Sequence, residues 1–175
     1  MAGGLRILMA EDNPTDAELI HYALRRGGLV YEAIRVETKE KFIEAIREFK
    51  PDIIISDYEM PEFKGSSALA IALVECPAVP FILVSGAISE ALADEMLKAG
   101  ATDYIPKQKL SRLAPAVRRA IAKSRERKFP GVTEASIEPS PSGMEKTLGR
   151  TMKVVSSLID IRRHYITSRW ALELA

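Results

Sequence analysis

Short, continuously apolar runs alternate with amphipathic segments along most of this 175-residue chain, and this alternation restricts the fold more than any other feature. Runs of this length are typical of strands buried on both faces of a sheet. The predicted strands are Leu5–Ala10, Val30–Val36, Ile53–Ser56, Phe81–Ser85 and Thr102–Ile105. Because parallel neighbours need crossover connections, strands that alternate with helices predict a parallel sheet with helices on both faces.

The segments between these strands carry the periodicity and the end signals of helices. In the second of them, apolar residues recur at the spacing of one helix face: Phe42, Ala45, Ile46 and Phe49. Residues suited to begin or end a helix, or to be tolerated in its first turn, flank the segments: Asn13, Pro14, Gly27, Thr38, Pro51, Ser89, Gly100 and Pro115. The pattern therefore predicts five strand–helix repeats between residues 5 and 128.

Polar and charged residues stand where four of the predicted strands end. They are Glu11 and Asp12 after the first strand, Asp57 after the third, Ser85 at the end of the fourth and Lys107 after the fifth. In an open parallel sheet, ligand chemistry gathers beyond the carboxyl ends of the strands. Each residue alone is more simply read as a loop or surface residue, but their joint placement predicts a functional site at this edge.

Three carboxylates brought together at one edge predict a metal ion. Without a cation their mutual repulsion raises their pKa values. Oxygen ligands from few protein groups suit Mg²⁺, which retains water in its octahedral shell. We expect Asp12 and Asp57 to bind the ion directly and Glu11 to act through water. The main-chain carbonyl of Glu59 is expected to complete the set.

The same residues predict phosphoryl chemistry at Asp57. A carboxylate can act as a nucleophile toward a phosphoryl group and form an aspartyl phosphate. Mg²⁺ and the ammonium of Lys107 would offset the charge of the transferring group. The Ser85 hydroxyl can donate to a phosphoryl oxygen after transfer.

These motifs resemble the receiver domain of bacterial two-component response regulators. The resemblance lies in residues 7–14, 55–61, 83–87 and 99–107 and covers the chain from about Leu5 to Lys128. It implies a flavodoxin-like, doubly wound sheet in the order 2-1-3-4-5. It also implies phosphoryl transfer to Asp57 from a sensor histidine kinase or a phosphotransfer protein. The output would be a changed protein-binding surface, so the chain is not expected to be an enzyme that turns over an external substrate.

The resemblance assigns a role to each motif residue. Glu11 and Asp12 match the acidic pair, Asp57 the acceptor, Ser85 the hydroxyl switch, Tyr104 the aromatic switch and Lys107 the family's lysine. The chain departs from the family pattern after Lys107, where Gln108 stands in place of the usual proline. Pro106 precedes the lysine instead, and the sequence leaves the cis or trans state of the Ile105–Pro106 bond open.

Two other functions remain open at this point. An interaction module that works without phosphorylation would need only the fold. A Mg²⁺-dependent phosphatase acting through an aspartyl phosphate would need a second acid for the leaving group, and Glu59 is the nearest candidate.

Composition excludes several classes of protein. Lys and Arg total 25 against 24 Asp and Glu, so the net charge of +1 gives no sign of a nucleic-acid or membrane surface. A single cysteine, Cys76, rules out an internal disulfide and favours a reducing compartment. The absence of a secretory signal and of a long apolar run predicts a cytoplasmic protein.

The residues after the predicted receiver domain, 1–128, divide into two parts. Residues 129–143 are rich in Pro, Ser and Gly and predict a flexible linker. Residues 144–175 predict an amphipathic C-terminal helix with an apolar ridge that needs a partner. We favour a homodimer through this helix over folding back onto the receiver. The segment also weakly resembles the run-in helix of HD-GYP response regulators, so it could be the start of an output domain.

Overall fold

The computed structural model describes residues 4–86 and 88–128, and in them strands and helices alternate as the sequence predicts. The strands are β1 (Leu5–Ala10), β2 (Tyr31–Val36), β3 (Ile53–Ser56), β4 (Phe81–Ser85) and β5 (Asp103–Pro106). The α-helices are α1 (Pro14–Arg26), α2 (Lys39–Glu48), α3 (Gly65–Glu75), α4 (Glu90–Ala99) and α5 (Leu113–Lys128). A 3₁₀ segment, Lys107–Arg112, joins β5 to α5. None of the described helices is both long and apolar enough to cross a bilayer.

All strand pairs are parallel, and the sheet order is β2-β1-β3-β4-β5, which confirms the predicted fold. Successive residues of β1 point to opposite faces of the sheet, as the two-residue period of a strand requires. Leu8 and Ala10 enter the core cluster with α2 and α3, whereas Ile7 and Met9 enter the cluster with α1 and α5. Two apolar layers therefore hold the central strands, and the ends of these strands are fixed in position.

The predicted helix caps are confirmed. Asn13 Oδ1 accepts from the backbone N of Thr15 at 2.9 Å, and Ser89 Oγ accepts from that of Leu92 at 3.2 Å. Thr38 caps α2, and Pro115 lies in the first turn of α5. These caps satisfy N–H groups that have no partner inside the helix.

The elements differ from the prediction in a few places. β2 begins one residue later than expected, and β5 is displaced by one residue, to Asp103–Pro106. Thr102 is excluded from β5, and its Oγ1 instead accepts from the backbone N of Phe81 at 3.1 Å. No cis peptide bond occurs among the described residues, so Ile105–Pro106 is trans. The predicted linker 129–143 and helix 144–175 lie outside the described residues.

Candidate functional site

Three carboxylates meet at the carboxyl edge of the sheet. Glu11 and Asp12 follow β1 and Asp57 follows β3, and β1 and β3 are neighbours in the sheet. The backbone N of Asp57 donates to Ala10 O at 2.8 Å, which fixes the two loops against each other. One carboxylate oxygen from each acid lies within 4.8 Å of the others. Glu11 and Asp57 are buried and Asp12 is half-buried, so the cluster is a pocket rather than a surface patch.

The two carboxylate oxygens of Asp57 have different partners. Oδ1 accepts from the backbone N–H groups of Tyr58 at 2.5 Å and Glu59 at 3.2 Å. Oδ2 accepts from Lys107 Nζ at 2.7 Å. The backbone carbonyl of Asp57 accepts from Ser56 Oγ at 2.8 Å, so the carboxylate and its main chain are held from several sides.

Helix α3 packs closely against the loop after β3, which carries Asp57. The backbone N of Gly65, the first residue of α3, donates to Tyr58 O at 2.9 Å. A Cβ at position 65 would lie 2.6 Å from Asp57 O and 2.7 Å from Tyr58 Cα. The loop can approach the helix this closely only because residue 65 has no side chain.

Lys107 supplies the positive charge of the site. Its Nζ lies 2.7 Å from Asp57 Oδ2, 2.5 Å from Asp16 Oδ2 and 3.0 Å from Glu11 Oε2. Burial by itself lowers the pKa of Lys107, but the hydrogen bonds with Asp16 and Asp57 and the ion pair with Glu11 outweigh it and raise the pKa above its usual value. The side chain therefore stays an ammonium.

Glu11 has one carboxylate oxygen that is in an ion pair but lacks a hydrogen bond of good geometry. Its side chain is completely buried, and this burial raises its pKa; Lys107 opposes the shift and Asp57 adds to it. Oε1 accepts from the backbone N of Asn13 at 3.1 Å. Oε2 lies near Lys107 Nζ, but it makes no hydrogen bond of good geometry to any described residue. A buried carboxylate oxygen in this situation suits a nearby cation or its water.

Ser85 and Tyr104 belong to β4 and β5, the two strands beyond β3 in the sheet. Ser85 ends β4, is 1% exposed, and its hydroxyl has no hydrogen-bond partner among the described residues. Tyr104 is half-buried in β5, beside Leu83 of β4, and packs against the α2–α3 core cluster. The next loop is tied to the lysine segment, because Gln108 Nε2 donates to Gly86 O at 2.7 Å.

The structure thus brings four of the predicted residues into one cluster: Glu11, Asp12, Asp57 and Lys107. Glu59 is exposed, and its observed contribution is the N–H that donates to Asp57; its expected role as a carbonyl ligand stays a prediction. Sequence reasoning missed Asp16. It also missed Arg35, whose Nη1 donates to Glu11 O at 2.9 Å and Asp12 O at 3.2 Å. Their signals were an acid in the first turn of a helix and an arginine near the end of a strand.

Residues 7–118 match the family model described as "response regulator receiver domain". The chain belongs to this family. The fold, the sheet order and the acidic pocket after β1 and β3 accord with that membership. The receiver of this chain is a module of two-component signalling.

Relatives and solved structures accord with this assignment. The chain is 30% identical to the chemotaxis protein CheY of Thermotoga maritima over 105 residues, covering 59% of this chain and 86% of CheY. It is 26% identical to a protein-glutamate methylesterase/protein-glutamine glutaminase of Gluconobacter oxydans over 171 residues, covering 92% of this chain but only 48% of that enzyme. The chain thus spans about half of that relative and 27% of a DNA-binding transcriptional regulator, NtrC, of Proteus hauseri.

Among solved structures, the receiver domain of a sensor histidine kinase from Pseudomonas aeruginosa PAO1 is similar, with 27% identity and a TM-score of 0.59. The likeness covers 69% of this chain and 99% of that one, which holds a magnesium ion in its active-site cleft. Since one relative is an enzyme, the expectation that this chain is not one stays a prediction.

Proposed function

We propose that this receiver accepts a phosphoryl group on Asp57 from a sensor histidine kinase or a phosphotransfer protein. The observation that carries the proposal is the asymmetric environment of the Asp57 carboxylate. Backbone N–H groups hold one oxygen, and the Lys107 ammonium lies against the other at 2.7 Å. A carboxylate oriented in this way, beside a cation, is arranged to act as a nucleophile toward a phosphoryl group.

The transfer that we propose balances as a simple displacement. A carboxylate oxygen of Asp57 forms a bond to phosphorus while the bond between phosphorus and the donor imidazole nitrogen breaks. The leaving imidazole takes a proton as it regains its neutral form. Lys107, which remains charged, donates to the phosphoryl oxygens, where negative charge is concentrated.

We propose Mg²⁺ as the cofactor, and the residues present fit that ion. Glu11, Asp12 and Asp57 offer carboxylate oxygens within 4.8 Å of one another, and Glu11 Oε2 has no hydrogen bond among the described residues. Hard oxygen ligands in this number suit Mg²⁺. Asp12 and Asp57 would hold it, with Glu11 acting through water and the Glu59 carbonyl as a further ligand. When bound, the ion would neutralise the carboxylates and polarise the phosphoryl group.

We also propose that phosphorylation changes a binding surface through Ser85 and Tyr104. The Ser85 hydroxyl lacks a partner in the described structure, so a phosphoryl oxygen arriving on Asp57 would give it one. Tyr104 lies one strand away, half-buried beside Leu83, where inward rotation would alter the surface of α4, β5 and α5.

The test is the intact mass of the protein after incubation with acetyl phosphate and Mg²⁺. We expect one added phosphoryl group, which is lost without Mg²⁺ and lost in Asp57→Asn. The matched control is Asp94→Asn, an exposed acid on α4 that should still be modified. If the aspartyl phosphate hydrolyses too fast to be detected by mass, binding of beryllofluoride, which mimics the phosphoryl group, replaces this readout. A protein that gains no mass and binds no beryllofluoride would contradict the proposal.

The alternatives have less support. Phosphatase turnover would need an acid placed over the leaving group, and the Glu59 side chain is exposed. An interaction module that works without phosphorylation does not require a lysine among three carboxylates, which is the arrangement found here. Dimerisation through residues 144–175 and the cytoplasmic location stay predictions.

A further inference from the structure

The ammonium of Lys107 is shared with an acid that does not belong to the metal-binding cluster. Asp16 Oδ2 lies 2.5 Å from Lys107 Nζ, whereas Asp57 Oδ2 lies at 2.7 Å and Glu11 Oε2 at 3.0 Å. The cluster of carboxylates close enough to share a metal ion contains Glu11, Asp12 and Asp57 but not Asp16. Asp16 therefore lies outside the predicted metal site but shares the ammonium of Lys107 with it.

Local structure holds Asp16 in this position. It is the third residue of α1, and its backbone N lies 3.4 Å from the capping oxygen of Asn13. An acid in the first turn of a helix is favoured by the partial positive charge of the helix terminus. Its side chain is 28% exposed and that of Lys107 is 18% exposed, so water weakens this ion pair only in part.

Three carboxylates already share the ammonium of Lys107, since it donates hydrogen bonds to Asp16 and Asp57 and forms an ion pair with Glu11. An ammonium has three N–H groups, and three carboxylate oxygens lie within 3.0 Å of this one. A phosphoryl group on Asp57 adds oxygens that need the same donors. Asp16 Oδ2 is the nearest of the three carboxylate oxygens to Nζ, so Asp16 is a strong competitor for the ammonium.

We propose that Asp16 is a positioning residue that acts through Lys107 and competes with the phosphoryl group for its ammonium. By holding the ammonium toward α1, Asp16 weakens the hold of the pocket on the phosphoryl group and shortens the life of the phosphorylated state. The inference rests on the proposed function of Asp57. It gives this receiver a built-in means of limiting its signal.

The test compares beryllofluoride affinity at saturating Mg²⁺ in the full chain, followed by ¹⁹F NMR. We expect Asp16→Asn to bind about fivefold more tightly than the wild type, which corresponds to about 1 kcal/mol. The matched control is Glu18→Gln, which removes the same charge from an exposed position on the same helix and should change affinity less than twofold. Asp16→Glu, which keeps the charge, should stay close to the wild type.

A second readout separates this role from a structural one. Removing a negative charge near the pocket should leave Mg²⁺ affinity unchanged or weaken it, so Mg²⁺ affinity should not rise in Asp16→Asn although beryllofluoride affinity does. The aspartyl phosphate should also decay more slowly than in Glu18→Gln. Thermal unfolding will show whether Asp16→Asn is folded, and Asp16→Ser repeats the comparison if it is not.

The outcomes are distinct. A wild type that gains no mass with acetyl phosphate and binds no beryllofluoride overturns the proposed function and this inference with it. A wild type that binds normally, with Asp16→Asn unchanged or weaker, overturns this inference alone and leaves Asp57 as the acceptor.

Discussion

Two sets of polar groups at the strand ends differ in how fully they are paired, and we call them the paired side and the unpaired side of the pocket. The paired side comprises the residues that follow β1, β3 and β5, where Lys107 contacts three carboxylates and backbone N–H groups hold Asp57. The unpaired side is the end of β4, between β3 and β5, where the Ser85 hydroxyl is buried and has no partner among the described residues. A buried hydroxyl without a hydrogen bond is costly, so Ser85 lacks the stabilisation that the residues around Lys107 gain from their contacts.

The strongest way to break the paired side is Lys107→Ala. Removing the ammonium leaves Glu11, Asp16 and Asp57 without a cation, so we expect the free energy of unfolding to fall by about 2–3 kcal/mol at pH 7 without Mg²⁺. Urea unfolding measures this loss, and added Mg²⁺ should recover more stability in the variant than in the wild type. Lys109→Ala, which removes an exposed lysine two residues later, should show neither effect.

Two buried serines, one with a hydrogen bond and one without, allow the paired and unpaired sides to be compared by the same substitution. Ser56 Oγ donates to Asp57 O at 2.8 Å, so Ser56→Ala should destabilise the protein by about 1 kcal/mol. Ser85→Ala removes a hydroxyl that has no partner, so it should be neutral or stabilising in urea while weakening beryllofluoride binding. If both variants lost the same stability, the two sides of the pocket would not differ in the way described.

The pH dependence of stability should reveal the burial of the Glu11 carboxylate. Its pKa is raised in the folded state from an ordinary value of 4.5, mainly by burial, so the folded protein binds this proton more readily than the unfolded chain. Its contribution to stability therefore falls as pH rises above that value. Glu11→Gln should remove this loss and gain about 1 kcal/mol or less at pH 7 without Mg²⁺, with little gain at pH 4. Unfolding curves at both pH values check this, with Glu18→Gln as the control.

The smallest expected effect lies in the loop after β4. Gln108→Ala removes the hydrogen bond to Gly86 O, a bond made near the surface, and should change stability by a few tenths of a kcal/mol. Amide hydrogen exchange in residues 86–90 should nevertheless become faster, because the loop loses its link to the lysine segment. Unaltered exchange would show that the loop is held by other contacts.

The central strands β1, β3 and β4 were predictable because they are largely buried on both faces. Runs such as Ile53–Ser56 are apolar throughout, which is typical of buried parallel strands. The caps of α1, α2 and α4 are residues with strong preferences for the first position of a helix. The limits of α3 were not predictable from periodicity, since its sequence, Gly65–Glu75, is apolar around most of its surface. The 3₁₀ segment after β5 carries no distinctive pattern either.

The site also contains residues that could be predicted from the sequence and at least one that could not. Residues at strand ends could be placed by the rule that the carboxyl ends of parallel strands share one edge, which located Glu11, Asp12, Asp57 and Lys107. Asp16 could not, because its contact with Lys107 joins residues 91 positions apart and depends on the packing of α1 against the segment after β5. An acid in the first turn of a helix is already accounted for by the helix dipole, so the sequence gives no reason to assign Asp16 to the site.

The close approach at Gly65 has a consequence for how freely this sequence can vary. Alanine there would place its Cβ 2.6 Å from the Asp57 carbonyl, whereas Gly86 has no atom within 4 Å of a Cβ built on it. A library randomised at both glycines and selected for signalling should return glycine at position 65 and many residues at position 86. Position 65 therefore tolerates few substitutions because of its contact with the loop that carries Asp57, although it contributes no functional group of its own.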